Sequence, residues 1–160
     1  MDSNIRLIIV GGGKVDSESL KLLSDSSVED VILAGEVTEE DKIRYYHSAD
    51  IFCAPATGQE SFGIVLLESM ASKVPIVATN IDGFMQVVSD RKESLLVNPK
   101  NVNDLIRALS ELIYDPKLRK KISDAGYSKV ERYSWDIVCG KVIDYYQHVS
   151  EIKNRISGSY

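Results

Sequence analysis

Apolar residues fall into short, nearly continuous runs that alternate with longer segments in which apolar and polar positions follow a helical period. Short apolar runs bounded by Gly, Pro, Asn or Asp are typical of strands that are buried on both faces. Such an alternation predicts an α/β fold with a Rossmann-like parallel sheet, helices on both faces and right-handed crossovers. The strands are predicted at 5–10, 31–37, 50–55, 75–80 and 94–98, and the helices between them at about 17–25, 39–48, 62–73 and 83–90.

The last third of the chain is predicted to be helical. Apolar residues at helical spacing begin at 103 and stop before Pro116, and a second helix is expected over 117–132. A third helix begins after Ser134, whose side chain suits an N-cap. Because the chain has no internal repeat and no linker, we expect residues 1–160 to form one domain with a helical C-terminal tail.

Composition and charge narrow the classes of partner. The 160 residues are 44% hydrophobic and 27% charged, which is typical of a globular protein, and the net charge is −5. This charge argues against nucleic acid as the main partner, because phosphate contacts need clustered Lys and Arg. No apolar run approaches the ~20 residues that span a bilayer, and no signal peptide is visible. We therefore expect a cytoplasmic domain, with peripheral contact with a membrane left open.

The two cysteines, Cys53 and Cys139, are far apart and lie among apolar residues. In a chain able to form a core of ordinary size they do not indicate a disulfide framework. We expect both to be reduced core residues.

Three glycines, Gly11–Gly13, follow the first predicted strand. They match neither a G-x-G-x-x-G turn nor a Walker A loop, and Asp16 would repel a pyrophosphate. A plain strand-to-helix turn is the favoured interpretation, although glycine still allows a ligand to approach the backbone closely. In open parallel sheets, ligands bind beyond the carboxyl ends of the strands, where this turn is expected.

The loop 55–62, "PATGQESF", follows the third strand and leads into a helix near Phe62, Gly63 and Ile64. A helix N-terminus presents unpaired N–H groups and a partial positive charge, so it can hold a diphosphate without a basic side chain. At Gly63 no Cβ would stand between an anion and those amides.

Two acids belong to this segment. Glu60 could accept hydrogen bonds from a neutral polyol, and Glu68, about two helical turns further on, from a vicinal diol such as a ribose. Alternatively, Glu60 is a solvated acid at a helix start, where the dipole favours it. The neighbours of Glu68 predict a mostly buried helix, in which an unpaired carboxylate is costly, so it needs a partner. Spacing alone leaves the two interpretations open.

The stretch 49–84, "ADIFCAPATGQESFGIVLLESMASKVPIVATNIDGF", resembles the donor-binding core of retaining GT-B glycosyltransferases of family 4. The E-x7-E pair formed by Glu60 and Glu68 is that family's signature. Within the family, E-S-F-G-I-V-L is similar to the phosphatidylinositol mannosyltransferase group. The similarity covers nearly the whole chain and includes the turn at 35–37, the turn at Asp82–Phe84 and "YSWDIV" at 133–138.

This resemblance implies roles for individual residues. Glu60 would be the residue of the catalytic centre that binds the donor hexose, and Glu68 would bind the ribose hydroxyls. Val37 would contact the base through its backbone, with Lys42 nearby. The distal phosphate and the sugar would be held by the segment that contains Ser61, Phe62, Gly63 and Ile64, and neutral walls of the nucleotide site would be formed by Gly11 and Gly13.

The resemblance also implies the chemistry. The donor would be a GDP- or UDP-hexose, with mannosyl or glucosyl transfer and with no cofactor and no metal. Family members retain the anomeric configuration by front-face displacement, in which the leaving diphosphate helps to deprotonate the acceptor and the protein stabilises the developing charge. His47 and His148 are isolated and are expected to be structural or surface residues.

The sequence departs from the family at its start. The family's donor domain normally begins with one more strand and helix, which carry an Arg and a Lys that clamp the diphosphate, and neither Arg6 nor Lys14 fits these positions. The N-terminal acceptor domain is also absent. We therefore expect little transferase activity from this chain without an acceptor domain or a partner chain.

In the order 3-2-1-4-5-6 the missing strand is central. Its loss would leave the strands 5–10 and 50–55 with open edges, which would pair with each other, with a second copy or with a partner chain. Two other functions remain open: a non-catalytic nucleotide-binding or assembly module, and a sugar-nucleotide epimerase of GT-B fold. The epimerase is disfavoured because no loop carries a His.

Overall fold

The computed structural model describes residues 5–13, 15, 17–25 and 30–157. Lys14 and Asp16, which the sequence patterns single out, lie outside the described residues. The chain divides into two compact units, residues 1–45 and 46–160. The expectation of one domain stays a prediction.

The first unit contains two parallel strands. Leu7 pairs with Val31 and Ile9 with Leu33, and the register shifts before Val10. All four residues of the first strand are exposed, by 37–48%, so the expectation of burial on both faces is wrong for this sheet. The elements are β1 (Leu7–Val10), α1 (Ser17–Asp25), β2 (Val31–Gly35) and the first residues of α2 (Glu39–Ser48).

The second unit contains a three-stranded parallel sheet with the order β3-β4-β5. The central strand β4 is buried throughout. Its strands are β3 (Phe52–Ala54), β4 (Ile76–Thr79) and β5 (Ser94–Val97), and its helices are α3 (Ile64–Ala71), α4 (Asp82–Met85), α5 (Val102–Tyr114), α6 (Pro116–Val130), a 3₁₀ turn (Glu131–Tyr133) and α7 (Trp135–Ser157).

Alternate residues of β4 face two separate clusters, because successive side chains of a strand point to opposite faces. Ile76 packs with Leu66, Met70 and Phe84 from the α3 and α4 region. Val77 belongs to the other cluster, with Leu95, Leu112 and Ile122 as members. Helices therefore cover both faces of this sheet, as the sequence predicts.

The strand pairings match the expected topology. Their orders, β2-β1 and β3-β4-β5, are those of 3-2-1-4-5-6 with strand 1 left out. Within the described residues, β1 and β3 each have a strand partner on one edge only.

Several helix boundaries follow from local signals. The side chain of Asp115 accepts hydrogen bonds from the N–H groups of Lys117 and Leu118, and Pro116 occupies the first turn of α6, which confirms the end of α5 before this proline. The helix predicted at 62–73 is shorter, because Gly63 adopts a left-handed conformation before α3 and Lys73 another after it.

The helix predicted at 83–90 is wrong beyond Met85. The N–H of Ser89 donates to Oε2 of Glu93 at 2.9 Å instead of continuing the helix. Glu93 is 2% exposed, and the Nζ atoms of Lys92 and Lys129 each lie 3.4 Å from its carboxylate. Burial raises the pKa of the Glu93 carboxyl, but the Ser89 N–H and the Lys129 and Lys92 ammonium groups outweigh it and hold that pKa below its usual value.

The cysteines differ in environment. Cys53 is half-buried in β3, and burial raises the pKa of its thiol. Cys139 is exposed on α7, so the expectation of a core position is wrong for it. The apolar residues around Cys139 form a face of α7 that the described residues leave exposed. None of the helices in the described ranges is long and apolar enough to cross a membrane.

Candidate functional site

The loop between β3 and α3 has a fixed backbone path. Gln59 has a φ of 64° and Gly63 a φ of 79°, both in the left-handed region. The hydroxyl of Thr79, at the end of β4, donates to the carbonyl of Ala56 at 2.5 Å. The loop is therefore held at the carboxyl end of the sheet, where parallel sheets place their ligands.

Gly63 begins α3 in a conformation that only glycine adopts easily. A Cβ at this position would lie 2.7 Å from Cδ1 of Phe84, so the space is closed as well. No side chain of Gly63 can cap the helix, and its N–H donates instead to Oε1 of Glu60 at 3.3 Å. The Glu60 carboxylate therefore lies against the start of α3, whose first amides have no acceptor within the helix.

The turn at 81–84 packs against the backbone of this loop. A Cβ at Gly83 would lie 2.1 Å from the carbonyl oxygen of Glu60, a distance that no side chain could tolerate. Phe84, the next residue, closes the space beside Gly63. The position of Glu60 thus depends on a backbone-to-backbone contact with Gly83, a residue of the turn at Asp82–Phe84 to which the sequence analysis gave no role.

A concave pocket of about 380 Å³ lies between the loop and the turn. Its volume falls in the range of small-molecule sites. Two of its residues are acids, Glu60 and Asp82, and none of its described residues is basic; the lining is Gly58, Gln59, Glu60, Ile81, Asp82 and Gly83. Sequence reasoning assigned Asp82 no role at the site, although the turn at Asp82–Phe84 formed part of the resemblance.

The other predicted residues of this segment surround the start of α3 without lining the pocket. Ser61 is exposed, and the ring of Phe62 contacts the ring of Tyr133 edge to face at 6.0 Å. Ile64 is 64% exposed, which is unusual for an apolar residue in the first turn of an otherwise well-covered helix. The expectation of a mostly buried helix therefore holds for Leu66 and Met70 but not for Ile64 and Val65.

Glu68 is half-buried on α3 and has a partner within the protein. The hydroxyl of Tyr46 lies 3.2 Å from Oε2 of Glu68 and 3.3 Å from the carbonyl oxygen of Val65. The expectation that this carboxylate needs a partner is therefore met within the protein, because Tyr46 supplies a hydrogen bond. The assignment of Glu68 to a ribose rests on the resemblance alone.

The remaining predicted residues belong to the first unit. The N–H of Gly11 donates to the carbonyl of Gly35 at 2.9 Å, and Gly13 has a φ of 117°. Val37 is half-buried in the turn after β2. The ammonium group of Lys42 lies 2.8 Å from the carboxylate of Glu39. These residues do not line the pocket, and their roles stay predictions.

No group of three or more His, Cys, Asp or Glu side chains within the described ranges is arranged to hold a metal ion. The two histidines, His47 and His148, are exposed on α2 and α7. Metal independence stays a prediction.

Comparison with known proteins finds similar glycosyltransferases both by sequence and by structure. The chain is 35% identical to the phosphatidyl-myo-inositol mannosyltransferase of Mycobacterium leprae over 153 residues, covering 96% of this chain and 40% of that protein. The chain thus spans about 40% of the length of the curated relatives that it matches.

Solved structures share the fold. The sucrose-phosphate synthase of Thermosynechococcus elongatus matches with a TM-score of 0.79 and 23% identity, covering 92% of this chain and 39% of that one. HepE of Anabaena in complex with UDP matches with a TM-score of 0.78 and 19% identity, covering 91% and 42%. These likenesses confirm the α/β, Rossmann-like GT-B fold class. Residues 1–129 match the family described as "Glycosyl transferases group 1", and the chain belongs to that family.

Proposed function

We propose that this chain is the donor-binding half of a retaining hexosyltransferase, which binds a nucleoside diphosphate sugar. The observation that carries the proposal is the pocket of about 380 Å³ beside the start of α3, where the Glu60 carboxylate accepts from the Gly63 N–H. A site of this kind combines a hydroxyl-binding carboxylate with a helix N-terminus suited to a phosphate.

In this proposal, each part of the donor contacts a different group of the protein. The hexose hydroxyls donate to Glu60, and the diphosphate accepts from N–H groups at the start of α3 other than that of Gly63, which donates to Glu60. Glu68 accepts from the ribose hydroxyls. In the first unit, Val37 and Lys42 belong to the base end, as the resemblance implies.

Transfer moves the hexosyl group from the donor to an acceptor hydroxyl. The bond between the anomeric carbon and the diphosphate oxygen breaks, and a bond to the acceptor oxygen forms on the same face. The acceptor proton passes to the leaving diphosphate, so no protein nucleophile, cofactor or metal is required. Glu60 contributes by holding the hexose, while the α3 amides stabilise the developing negative charge.

The donor is proposed as a GDP- or UDP-hexose. HepE was solved with UDP, and the first relatives are named mannosyltransferases, which favours mannose as the sugar. Because none of the described residues that line the pocket is basic, the leaving group lacks a cationic clamp there. We therefore propose that this chain binds its donor weakly and needs an acceptor domain, or a partner chain, for transfer.

The names of these relatives specify phosphatidyl-myo-inositol, a lipid whose headgroup lies at a membrane surface. We accordingly propose that the protein works in the cytoplasm, peripherally at a membrane. Binding of the purified chain to vesicles with and without phosphatidylinositol, measured by co-sedimentation, tests whether this half takes part in that contact; equal recovery with both vesicle types contradicts a headgroup-specific contact through this chain.

Isothermal titration calorimetry tests donor binding. We expect saturable binding of GDP, UDP, GDP-mannose or UDP-glucose that is unchanged by a chelator, and loss of affinity in Glu68→Ala and Glu60→Ala. Glu151→Ala is the matched control, because Glu151 is an exposed acid on α7. If none of the four ligands binds at millimolar concentration, the donor-site proposal is wrong for this chain.

A further inference from the structure

Tyr46, in the last turn of α2, is a buried side chain whose hydroxyl meets the candidate ribose-binding acid. It is 9% exposed, and its ring packs edge to face against the ring of Phe52 with centroids 5.2 Å apart. Packing of this kind fixes the ring, because edge-to-face pairs have a preferred geometry. The packing of the ring against Phe52 therefore positions the Tyr46 hydroxyl beside α3.

The hydroxyl can act only as a donor toward Glu68. Burial, the charge of Glu68 and the hydrogen bond to Glu68 together raise the pKa of Tyr46 above its ordinary value, so the proton stays on the phenol across the physiological range. Its single proton is shared between two acceptors on one helix, Oε2 of Glu68 at 3.2 Å and the carbonyl oxygen of Val65 at 3.3 Å.

The terminal torsion of a glutamate side chain is broad, so hydrogen bonds to the carboxylate decide its plane. A hydrogen bond to one carboxylate oxygen restricts both the rotamer and the plane of the carboxylate. A vicinal diol needs both oxygens of its acceptor at defined positions, so a fixed carboxylate plane increases affinity.

We propose that Tyr46 is a positioning residue that orients the Glu68 carboxylate for recognition of the ribose diol of the donor. This inference rests on the proposed function, since it adds the residue that holds Glu68 in place. Tyr46 itself does not touch the ligand in this arrangement, and it acts on the nucleotide only through the Glu68 carboxylate.

The test compares ligands that differ only at the diol. Calorimetry on the whole 160-residue chain measures the affinity of GDP and UDP against their 2′,3′-dideoxy analogues, in the wild type and in Tyr46→Phe. We expect the wild type to prefer the ribose form about tenfold or more, and Tyr46→Phe to lose most of that preference while binding the dideoxy form as the wild type does. A role in packing alone would weaken both forms equally.

A double-mutant cycle shows whether Tyr46 acts through Glu68. Adding Tyr46→Phe to Glu68→Gln should lower the diol preference no further than Glu68→Gln alone. Tyr145→Phe is the matched control, because it removes a hydroxyl from an exposed tyrosine of α7. Selective ¹³C-tyrosine labelling of the wild type gives an independent measurement, in which the Tyr46 resonance shifts with GDP or UDP but not with the dideoxy analogue.

The outcomes separate the two proposals. If the wild type binds nucleoside diphosphates and Tyr46→Phe keeps the wild-type diol preference, the positioning role is wrong while the donor site stands. The positioning role is also wrong if ribose and dideoxy forms shift the Tyr46 resonance equally, a result that needs only the wild type and so holds even if Tyr46→Phe does not fold. If the wild type binds neither GDP nor UDP, the donor site is wrong and the role of Tyr46 falls with it.

Discussion

Replacing Gly83 by alanine tests the contact that holds Glu60 in place. A Cβ at Gly83 would lie 2.1 Å from the carbonyl oxygen of Glu60, whereas Cβ atoms rarely approach any atom closer than 3.0 Å. The two backbone segments must therefore separate by about 0.9 Å. Because the obstacle is a backbone oxygen, no rotamer change can relieve it.

Two opposing effects decide the outcome for stability. Gly83 lies in α4 without a positive φ, so alanine should improve local helix propensity by about 0.5–1 kcal/mol. Forcing a methyl group into a closed contact costs about 1–3 kcal/mol. The gain in helix propensity is limited, because α4 has only four residues. We expect the steric cost to win and the free energy of unfolding to fall by about 1–2 kcal/mol.

The same displacement of the backbone should also lower the affinity for the sugar. A displacement of about 1 Å at a positioned group can cost up to about a hundredfold in function, so we expect Gly83→Ala to weaken hexose-dependent affinity more than affinity for the bare nucleoside diphosphate. Urea denaturation and calorimetry with GDP-mannose and GDP measure the two effects. Gly140→Ala is the control, because its Cβ would meet nothing within 4 Å. A Gly83→Ala variant as stable as the wild type, with unchanged sugar preference, would refute this reasoning.

Further predictions concern stability and association. Because the folded-state pKa of Glu93 is lowered, its ionised carboxylate stabilises the fold above the ordinary pKa of about 4.3, and this stabilisation is lost as pH falls through the lower folded value. In urea denaturation at a series of pH values, the free energy of unfolding of Glu93→Gln should therefore fall less steeply at acid pH than that of the wild type. An equal fall in both proteins contradicts the assignment. Lys129→Met should lower stability by about 1–3 kcal/mol, since it leaves a buried carboxylate with less compensation, and a thermal melt equal to that of the wild type excludes this. Gly63→Ala should cost about 2 kcal/mol or more, from its left-handed conformation and the nearby Phe84 ring; a cost near zero by urea denaturation would count against the strain. We also expect the isolated chain to self-associate through the exposed apolar strand β1, and Ile8→Lys to shift the mass from light scattering toward the monomer; a wild-type monomer at all concentrations argues against it.

Sequence patterns predicted the elements and their order well, because strand and helix periods are local properties of the chain. The apolar run at 75–80 became the fully buried β4, and Pro116 separated two helices as expected. The same kind of run at 5–10 became an exposed strand. A run of apolar residues shows that a strand could be buried. Whether it is buried depends on which other elements pack against it.

The candidate site was predictable only in part. The E-x7-E resemblance singled out Glu60 and Glu68, and the physics of helix starts singled out Gly63, but their roles stay predictions. The roles of Tyr46 and Gly83 could not be predicted from sequence patterns, because both contact the candidate site from elements that are distant along the chain. Contacts of this type depend on tertiary packing, which periodicity and motif spacing do not encode.

At Gly83, the turn at 81–84 lies against main-chain atoms of Glu60. Main-chain geometry persists when exposed side chains are substituted. Substitutions at the lining residues can therefore change the chemistry of the pocket without changing its main-chain frame. In the proposed site, Gln59 and Asp82 are the exposed lining residues where new sugar preferences could arise, with residues that tolerate a φ of 64° favoured at position 59, while Gly83 keeps the main-chain contact constant. Directed evolution toward another hexose should therefore concentrate its substitutions at those two positions.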